Sequence, residues 1–593
     1  MMNNNIKIRA TTYLKRRNLK ELLLFLARHW YIILIFLYIA GTRLYNLDVD
    51  PPIHLSSSGG LFGDETALAH NARNKVLFGT WITDEWNPLI YNPILTLFEY
   101  VSFIMAGVGL IQLRSVNIIA VLIGFFLLYL ALKQSSGPRT AFITIVLLGI
   151  NYIFLMYNRL GLNDTFLFFP MALTLYLWQK GLQKPPILFF AGISSFACYV
   201  TKASAIYFIL SVFISLGYAV FQKYVIEKNL KNSFSQMTYY ISGLTISYIG
   251  WYIFFFSPNR LEFARVGSSW SRLAVPHGFE RFWHNLSSFT FAKYMTASPI
   301  ELIITWLFIP FFIYAFFRNW RKVIPIEMLA FLWLIGGYVG LNGLNYRPLR
   351  YFIPLIPAMC ILSSIALNKI WDYIYQKKIV FNKATLLRTI SLCVVYFFWI
   401  NLFFKRLISF QKTLELGSLV LGGVILLFIM YYFIKKVIMR VSSPSGNGAL
   451  TIFFRSTVVS LILLSMYHNV SGYMKWAVNP KYTVIETSRE LGKILDQAYI
   501  AGLWSPLATI ENKHKALYVG NNWFNYRDTF KKYPVTHLFL WDGNNREELR
   551  FLRRAYPKIM QDAKLMKTYS IKGKPVRLFK LNNQIKNTTH APS

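Results

Sequence analysis

The sequence predicts a polytopic α-helical membrane protein of about thirteen transmembrane helices with a small C-terminal extracytoplasmic α/β domain, on three observations. Apolar runs of spanning length recur from Trp30 to about residue 470, each bounded by basic residues. Hydrophobic residues make up 55% of the 593 and charged residues only 15%, with a mean hydropathy of +0.39, which excludes a soluble multidomain enzyme. Beyond Trp476 the long apolar runs give way to short strand-like and helical patterns.

Taken in order, residues 1–29 form a basic segment with Lys7, Arg9, Lys15, Arg16, Arg17, Lys20 and Arg28. The positive-inside rule places it in the cytosol, and the apolar run that follows is long enough to stay in the membrane as the first helix. Residues 30–470 form the transmembrane domain, with further runs at 112–132, 139–157, 165–179, 186–200, 203–222, 236–256, 299–317, 326–344, 350–368, 388–404, 415–434 and 451–469. The piece from Tyr91 to Ile111 opens on Tyr91-Asn92-Pro93 and contains Glu99. Reading it as a juxtamembrane helix keeps Lys133/Arg139, Lys180/Lys184, Lys223/Lys228/Lys231, Arg318/Arg321/Lys322, Lys369/Lys377/Lys378/Lys383 and Lys435/Lys436/Arg440 on the inner side; a spanning helix there would turn all six clusters outward. The formal charge of +38 is therefore a topology signal, and no nucleic-acid partner is expected.

Two outer loops, 48–111 and 257–299, exceed what a connector needs. Residues 476–581 then form an extracytoplasmic α/β domain, with strand-like runs at 498–502, 536–541 and 576–581 and helical patterns at 484–496 and 545–561; 582–593 reads as a disordered tail. Cys198, Cys360 and Cys393 all lie in apolar stretches, so neither a disulfide framework nor a cysteine metal site is supported.

Polar residues gather at one membrane face. Asp64 and Glu65 follow a glycine-rich stretch and precede a helical run, Thr66 to Val76. Asp64 is placed either to cap that helix or to present a carboxylate to a substrate. The same pair of readings applies to Asp164, while Lys202 and Arg350 either snorkel to the headgroups or bind an anion. Jointly, carboxylates on early outer loops and cations on later ones suit an anionic headgroup with a sugar attached. Trp270, His277, Trp283 and His284 on the second outer loop serve either as sugar-stacking aromatics or as an interfacial belt, and Arg260, Arg265, Arg272 and Arg281 form a basic face beside them.

The order Gly63-Asp64-Glu65, Gly79-Thr80-Trp81, Asn87-Pro88, Arg114, Asn163-Asp164, Thr201-Lys202 and Arg350-Tyr351-Phe352-Ile353-Pro354-Leu355-Ile356-Pro357 resembles the GT-C glycosyltransferases. More narrowly it is similar to family 39, the protein O-mannosyltransferases and aminoarabinose transferases, over most of residues 30–370. One element departs: where the aminoarabinose transferases carry Lys-Pro-Pro, this chain reads Tyr91-Asn92-Pro93-Ile94, so their donor and acceptor do not carry over.

The resemblance implies an inverting transferase in the plasma or inner membrane that uses a polyprenyl-phosphate-linked monosaccharide, with Asp64 as the base that deprotonates the acceptor hydroxyl. It further implies that Glu65 and Asp164 orient the acceptor or a cation, and that Lys202, Arg350 and Tyr351 bind the donor phosphate. Protein, lipid and envelope glycan all offer a suitable hydroxyl. Related GT-C oligosaccharyltransferases need a divalent metal, but no His or carboxylate cluster of ligand spacing appears here, and no metal is expected. Two other readings stay open, a transporter or flippase and a non-catalytic protein that binds lipid-linked sugar. A transporter would show inverted repeats and mid-membrane ionisable residues.

Overall fold

The computed structural model describes residues 30–52, 55, 60–227, 230–287, 298–376, 446–520, 524–541 and 547–582. The basic N-terminal segment, the apolar runs at 388–404 and 415–434, Cys393 and residues 583–593 lie outside them, as do the side chains of Trp270 and Arg272.

Helices dominate. In chain order they are α1 (Trp30–Leu44), α2 (Gly60–Leu68), α3 (His70–Phe78), α4 (Pro93–Ala106), α5 (Leu110–Ile150), α6 (Tyr152–Asn158), α7 (Asn163–Phe166), α8 (Phe168–Gly181), α9 (Ile187–Thr201), α10 (Ile206–Glu227), α11 (Leu230–Trp251), α12 (Arg260–Ala274), α13 (Gly278–Ser287), α14 (Pro299–Asn319), α15 (Pro325–Asn342), α16 (Ile356–Gln376), α17 (Gly446–Ala477) and α18 (Thr483–Ile494). Helices α4, α14 and α15 open on proline, whose missing N–H is unused in a first turn.

By length and composition, five helical stretches among the described residues are able to cross a membrane: Leu110–Ile150, Ala203–Ile226, Pro299–Lys322, Pro325–Asn342 and Leu349–Asp372. A sixth is the pair α6 and α7–α8, bent by 113°. Two of the apolar runs read from the sequence, 112–132 and 139–157, begin in two successive helices within α5, which is interrupted at Gly137 by non-helical backbone (φ 88°, ψ 165°), with Pro138 opening the second. Helix α4 is only 14 residues long and lies against α3, in keeping with a helix at the membrane surface. Helix α16 runs through the bundle's centre, packed on α5, α14, α15 and α17, with Ala358 to Leu362 fully buried.

At the C-terminus, β1 (Tyr499–Gly502), β2 (Lys515–Tyr518), β3 (His537–Trp541), β4 (Lys564–Ile571) and β5 (Lys574–Lys580) form one mixed sheet in the order β2-β1-β3-β5-β4. β1 is parallel to β2 and β3, while β5 is antiparallel to β3 and β4. The segment 545–561, read from the sequence as one helix, divides into Glu547–Ala555 and Pro557–Asp562, because Pro557 cannot donate the hydrogen bond a continuous helix requires.

One face of the sheet does not meet solvent. Ile500, Trp504, Leu507 and Phe539 share a core with Ala69, which precedes α3, Ala72 of α3, Phe103 of α4, and Leu110 and Leu113 of α5. Arg73 locks this contact by donating to the carbonyls of Thr509 (3.1 Å), Asn512 (2.8 Å) and His514 (2.7 Å). The Glu511 carboxylate accepts from the first N–H of α5, at Leu110 (2.8 Å). Asn525 and Glu85 exchange two more bonds. The first long loop and the C-terminal sheet are thus one packed unit.

Candidate active site

Three chain breaks deliver the polar side chains to one place. The first separates α6 from α7. Asn117 of α5 holds it with one amide nitrogen that donates to the carbonyls of Leu160 (2.5 Å) and Leu162 (2.9 Å) and lies 2.8 Å from the Thr165 hydroxyl. Gly161 sits where a Cβ would come within 2.7 Å of Leu113, so only glycine fits without displacement. Asp164 follows at the start of α7. Its carboxylate pairs with Lys202, and the N-cap residue, Leu162, has no side chain able to cap that helix.

The second break ends α9. Lys202 is extended (φ −157°, ψ 114°), which turns its side chain away from the helix axis and toward Asp164. The third precedes α16, where Pro348 and Pro354 allow a 3₁₀ segment, Leu349–Leu355, but not an α-helix. Pro357 then falls in the first turn of α16, where proline is tolerated. This segment carries Arg350 and Tyr351.

Arg350 pairs with Asp64 and also faces Asp164, its Nε 3.9 Å from Oδ2. The Lys202 ammonium sits 4.1 Å from the Tyr351 ring centroid, and the Arg350 guanidinium 5.7 Å from the same ring. Tyr351 therefore spaces two cations along one wall, with Tyr346 edge-on behind it. Asp64 lies inside α2 rather than at its first residue, so it is not the cap of that helix. Of the four charged groups it is the most open, 27% exposed against 12% for Arg350, 11% for Lys202 and 2% for Asp164. The carboxylate best placed to meet a substrate is Asp64.

Glu65, expected to orient the acceptor or a cation, has both its oxygens held within the fold. Arg114 grips them bidentately, Nη2 to Oε1 at 2.6 Å and Nε to Oε2 at 3.0 Å, and the Gly161 N–H reaches Oε2 at 3.1 Å. Arg114 also donates to the carbonyls of Leu47 and Val49. Burial alone would raise the Glu65 carboxyl. The Arg114 charge and hydrogen bonds, the Lys572 charge and the Gly161 N–H together outweigh it, and the group is held below its ordinary value of 4.5. Glu65 thus ties α2, which carries Asp64, to the break that carries Asp164.

Sequence reasoning picked out Asp64, Asp164, Lys202, Arg350 and Tyr351, and the fold brings all five together. It missed Arg114 as the partner of Glu65; a lone arginine at the start of an apolar run was the available signal. On the second long loop, Trp283 is exposed and stacked on Phe279, while Arg265 spends its guanidinium on Glu262 and the Glu85 carbonyl. Among the described residues, no group of three or more His, Cys, Asp or Glu is placed to hold a metal ion.

Residues 88–251 match a family described as dolichyl-phosphate-mannose-protein mannosyltransferase. The structure superposes on that of ArnT from Cupriavidus metallidurans bound to undecaprenyl phosphate with a TM-score of 0.51, covering 95% of this chain and 100% of that one at 12% identity; the two share a fold. It also matches the apo oligosaccharyltransferase of Archaeoglobus fulgidus, with a TM-score of 0.48 at 11% identity, over 94% of this chain and 75% of that one. Among curated proteins, none matches the chain. The family match and the shared fold bear out the resemblance to GT-C glycosyltransferases, and the apolar helices long enough to cross a bilayer support an integral membrane protein.

Proposed function

From a GT-C fold with a mannosyltransferase-family segment at its core, we propose that this protein transfers a sugar from a polyprenyl-phosphate-linked donor to a hydroxyl acceptor on a protein, lipid or envelope glycan. The reaction lies at the extracytoplasmic face, with the N-terminus cytosolic and the C-terminal domain outside. The observation that carries this reading is the meeting of an accessible carboxylate, Asp64, with two cations, Lys202 and Arg350, spaced along Tyr351.

Asp64 takes the proton of the acceptor hydroxyl as its oxygen attacks the anomeric carbon from the side opposite the phosphate. The bond from that carbon to the phosphate oxygen breaks, and its electron pair leaves with the polyprenyl phosphate. Lys202 and Arg350 hold the charge the phosphate gains, so no protonating acid is required. Inversion follows from the direction of attack. Arg350 is paired with Asp64. A donor phosphate competes for Arg350 and releases Asp64 to act as base, which makes donor binding the natural first step. Glu65 and Asp164 position this set, the former through Arg114 and Gly161 and the latter through Lys202.

The test is transfer of label from polyprenyl-phosphate mannose, glucose, galactose or aminoarabinose by the purified protein in nanodiscs supplied with host envelope extract. Label reaching an acceptor supports the reading and identifies the acceptor class; a folded protein inert toward every donor overturns it in favour of binding or transport. Lys202→Gln and Arg350→Gln are each expected to raise the donor KM about 10- to 100-fold, the range for losing a charged hydrogen bond. An unchanged donor KM in both variants would remove the phosphate from this wall.

A further inference from the structure

Behind the active site lies a lysine that the mechanism above does not use. Strands β4 and β5 turn through Lys572 and Gly573, with φ of 49° and 75°. Such a two-residue turn needs a left-handed backbone at both positions, and Asn, Asp or Gly ordinarily fills the first. A turn lysine ordinarily points into solvent, yet Lys572 is only 2% exposed. An unfavourable backbone and an unfavourable burial thus coincide in one residue.

Its neighbours explain what it meets. The Lys572 N–H donates to the Thr483 hydroxyl at 2.9 Å, and that hydroxyl donates to Asp50 Oδ2 at 2.5 Å. The N–H groups of Thr483 and Val484 also reach the Asp50 carboxylate, at 2.9 and 3.3 Å. The ammonium lies in the field of Asp50, Glu65 and Arg114. Helix α18, which packs on β4, turns Arg489 to Glu511 and Glu490 to Lys567, so those charges are engaged elsewhere. Two buried carboxylates therefore face two cations. Arg114 is committed to Glu65, and the Lys572 ammonium adds a second positive charge in the field of Asp50 and Glu65, the Asp50 carboxylate being held by Thr483 and Val484.

We propose that Lys572 is a positioning residue for sugar transfer: the C-terminal domain delivers its ammonium to complete the group Asp50, Lys572, Glu65 and Arg114, which fixes the helix carrying Asp64. This rests on the glycosyltransferase reading above. Asp64 adjoins Glu65 on α2, so a shift in the group moves the base directly. Burial pulls the ammonium down to about 8, Arg114 adds to that, and Asp50 and Glu65 oppose it. Transfer should therefore fall as pH rises through about 8, where the charge is lost. The stability sign is opposite. A lysine with its value lowered from 10.5 to about 8 favours the neutral amine in the folded state, so its charge is a burden below about 8 that is relieved between about 8 and 10.5. A lysine kept charged at a cost to stability is kept for function.

The experiment compares full-length wild type, Lys572→Met and Lys572→Arg in nanodiscs, with whichever polyprenyl-phosphate sugar of the panel is turned over, reading kcat, donor KM, the pH profile and the thermal midpoint. Lys572→Met should lower kcat about tenfold at neutral pH, the order expected of a sub-ångström displacement of a reacting group. Its donor KM and midpoint should hold, and its alkaline fall should vanish. Lys572→Arg should restore most of kcat and move the alkaline fall upward. A wild-type kcat and alkaline fall in Lys572→Met, or joint loss of kcat and midpoint with no rescue by arginine, overturns the proposal alone. Wild type inert with every donor overturns the glycosyltransferase reading and this proposal with it. Should Lys572→Met fail to fold, the position of the alkaline fall in Lys572→Arg still decides.

Discussion

Replacing Asp64 by Asn is expected to lower kcat by about 10²- to 10⁴-fold, the usual range for a positioned general base. The substitution keeps shape and polarity and removes only the capacity to accept a proton. Donor binding should not weaken with it. Arg350 is held by the Asp64 carboxylate, and an amide competes less well for that guanidinium, so the donor phosphate should bind as tightly as before or tighter. Separate measurement of donor Kd and single-turnover rate distinguishes this from general damage. Equal turnover by wild type and Asp64→Asn would take the base assignment away while leaving the enzyme standing.

The second large effect is on stability. Arg114 is 1% exposed and donates to Glu65 and to two carbonyls at once, so Arg114→Met leaves the Glu65 carboxylate buried without its counter-charge. About 3–5 kcal/mol of destabilisation is expected. Replacing Glu65 by Leu in the same chain should recover a large part of it, because the cost lies in the unpaired charge rather than in the absent pair. Thermal midpoints of the two single variants and the double variant measure this; a double variant as unstable as Arg114→Met would show that Arg114 acts through the Leu47 and Val49 carbonyls instead. The pH sign is fixed as well. With the Glu65 carboxyl held below 4.5, the stability it lends is fully present above that value and is lost as pH falls through the lower folded value.

Asp164, Lys202, Arg350 and Tyr351 were legible in the sequence because each sits at the end of an apolar run, and membrane topology sends the ends of alternate runs to one face; Asp64 was legible because it follows a glycine-rich stretch in an outer loop longer than a connector needs. What Glu65 does was not. Its partner, Arg114, stands 49 residues away, and nothing in either neighbourhood states that the two meet. In the C-terminal sheet, β1, β3 and β5 carry the short apolar runs that mark a strand. β2 has only Lys515-Ala516-Leu517-Tyr518, and β4 carries Lys564 and Lys567 on its exposed face, so neither rises above the pattern of a loop. Lys572-Gly573 reads as an ordinary hairpin turn; that its side chain is buried depends on where the whole sheet docks.

That docking has a consequence in time. Arg73 belongs to the first loop, but the carbonyl of Thr509 it binds lies 436 residues later. At about 5–20 residues per second, a ribosome takes on the order of 20–90 s to make the intervening chain. Through that interval the first loop exists without the partners that complete its core, and the Asp64 helix lacks Lys572 behind it. The protein is thus assembled last where it acts, and a nascent chain that stops anywhere within the sheet leaves a membrane bundle with an unfinished site.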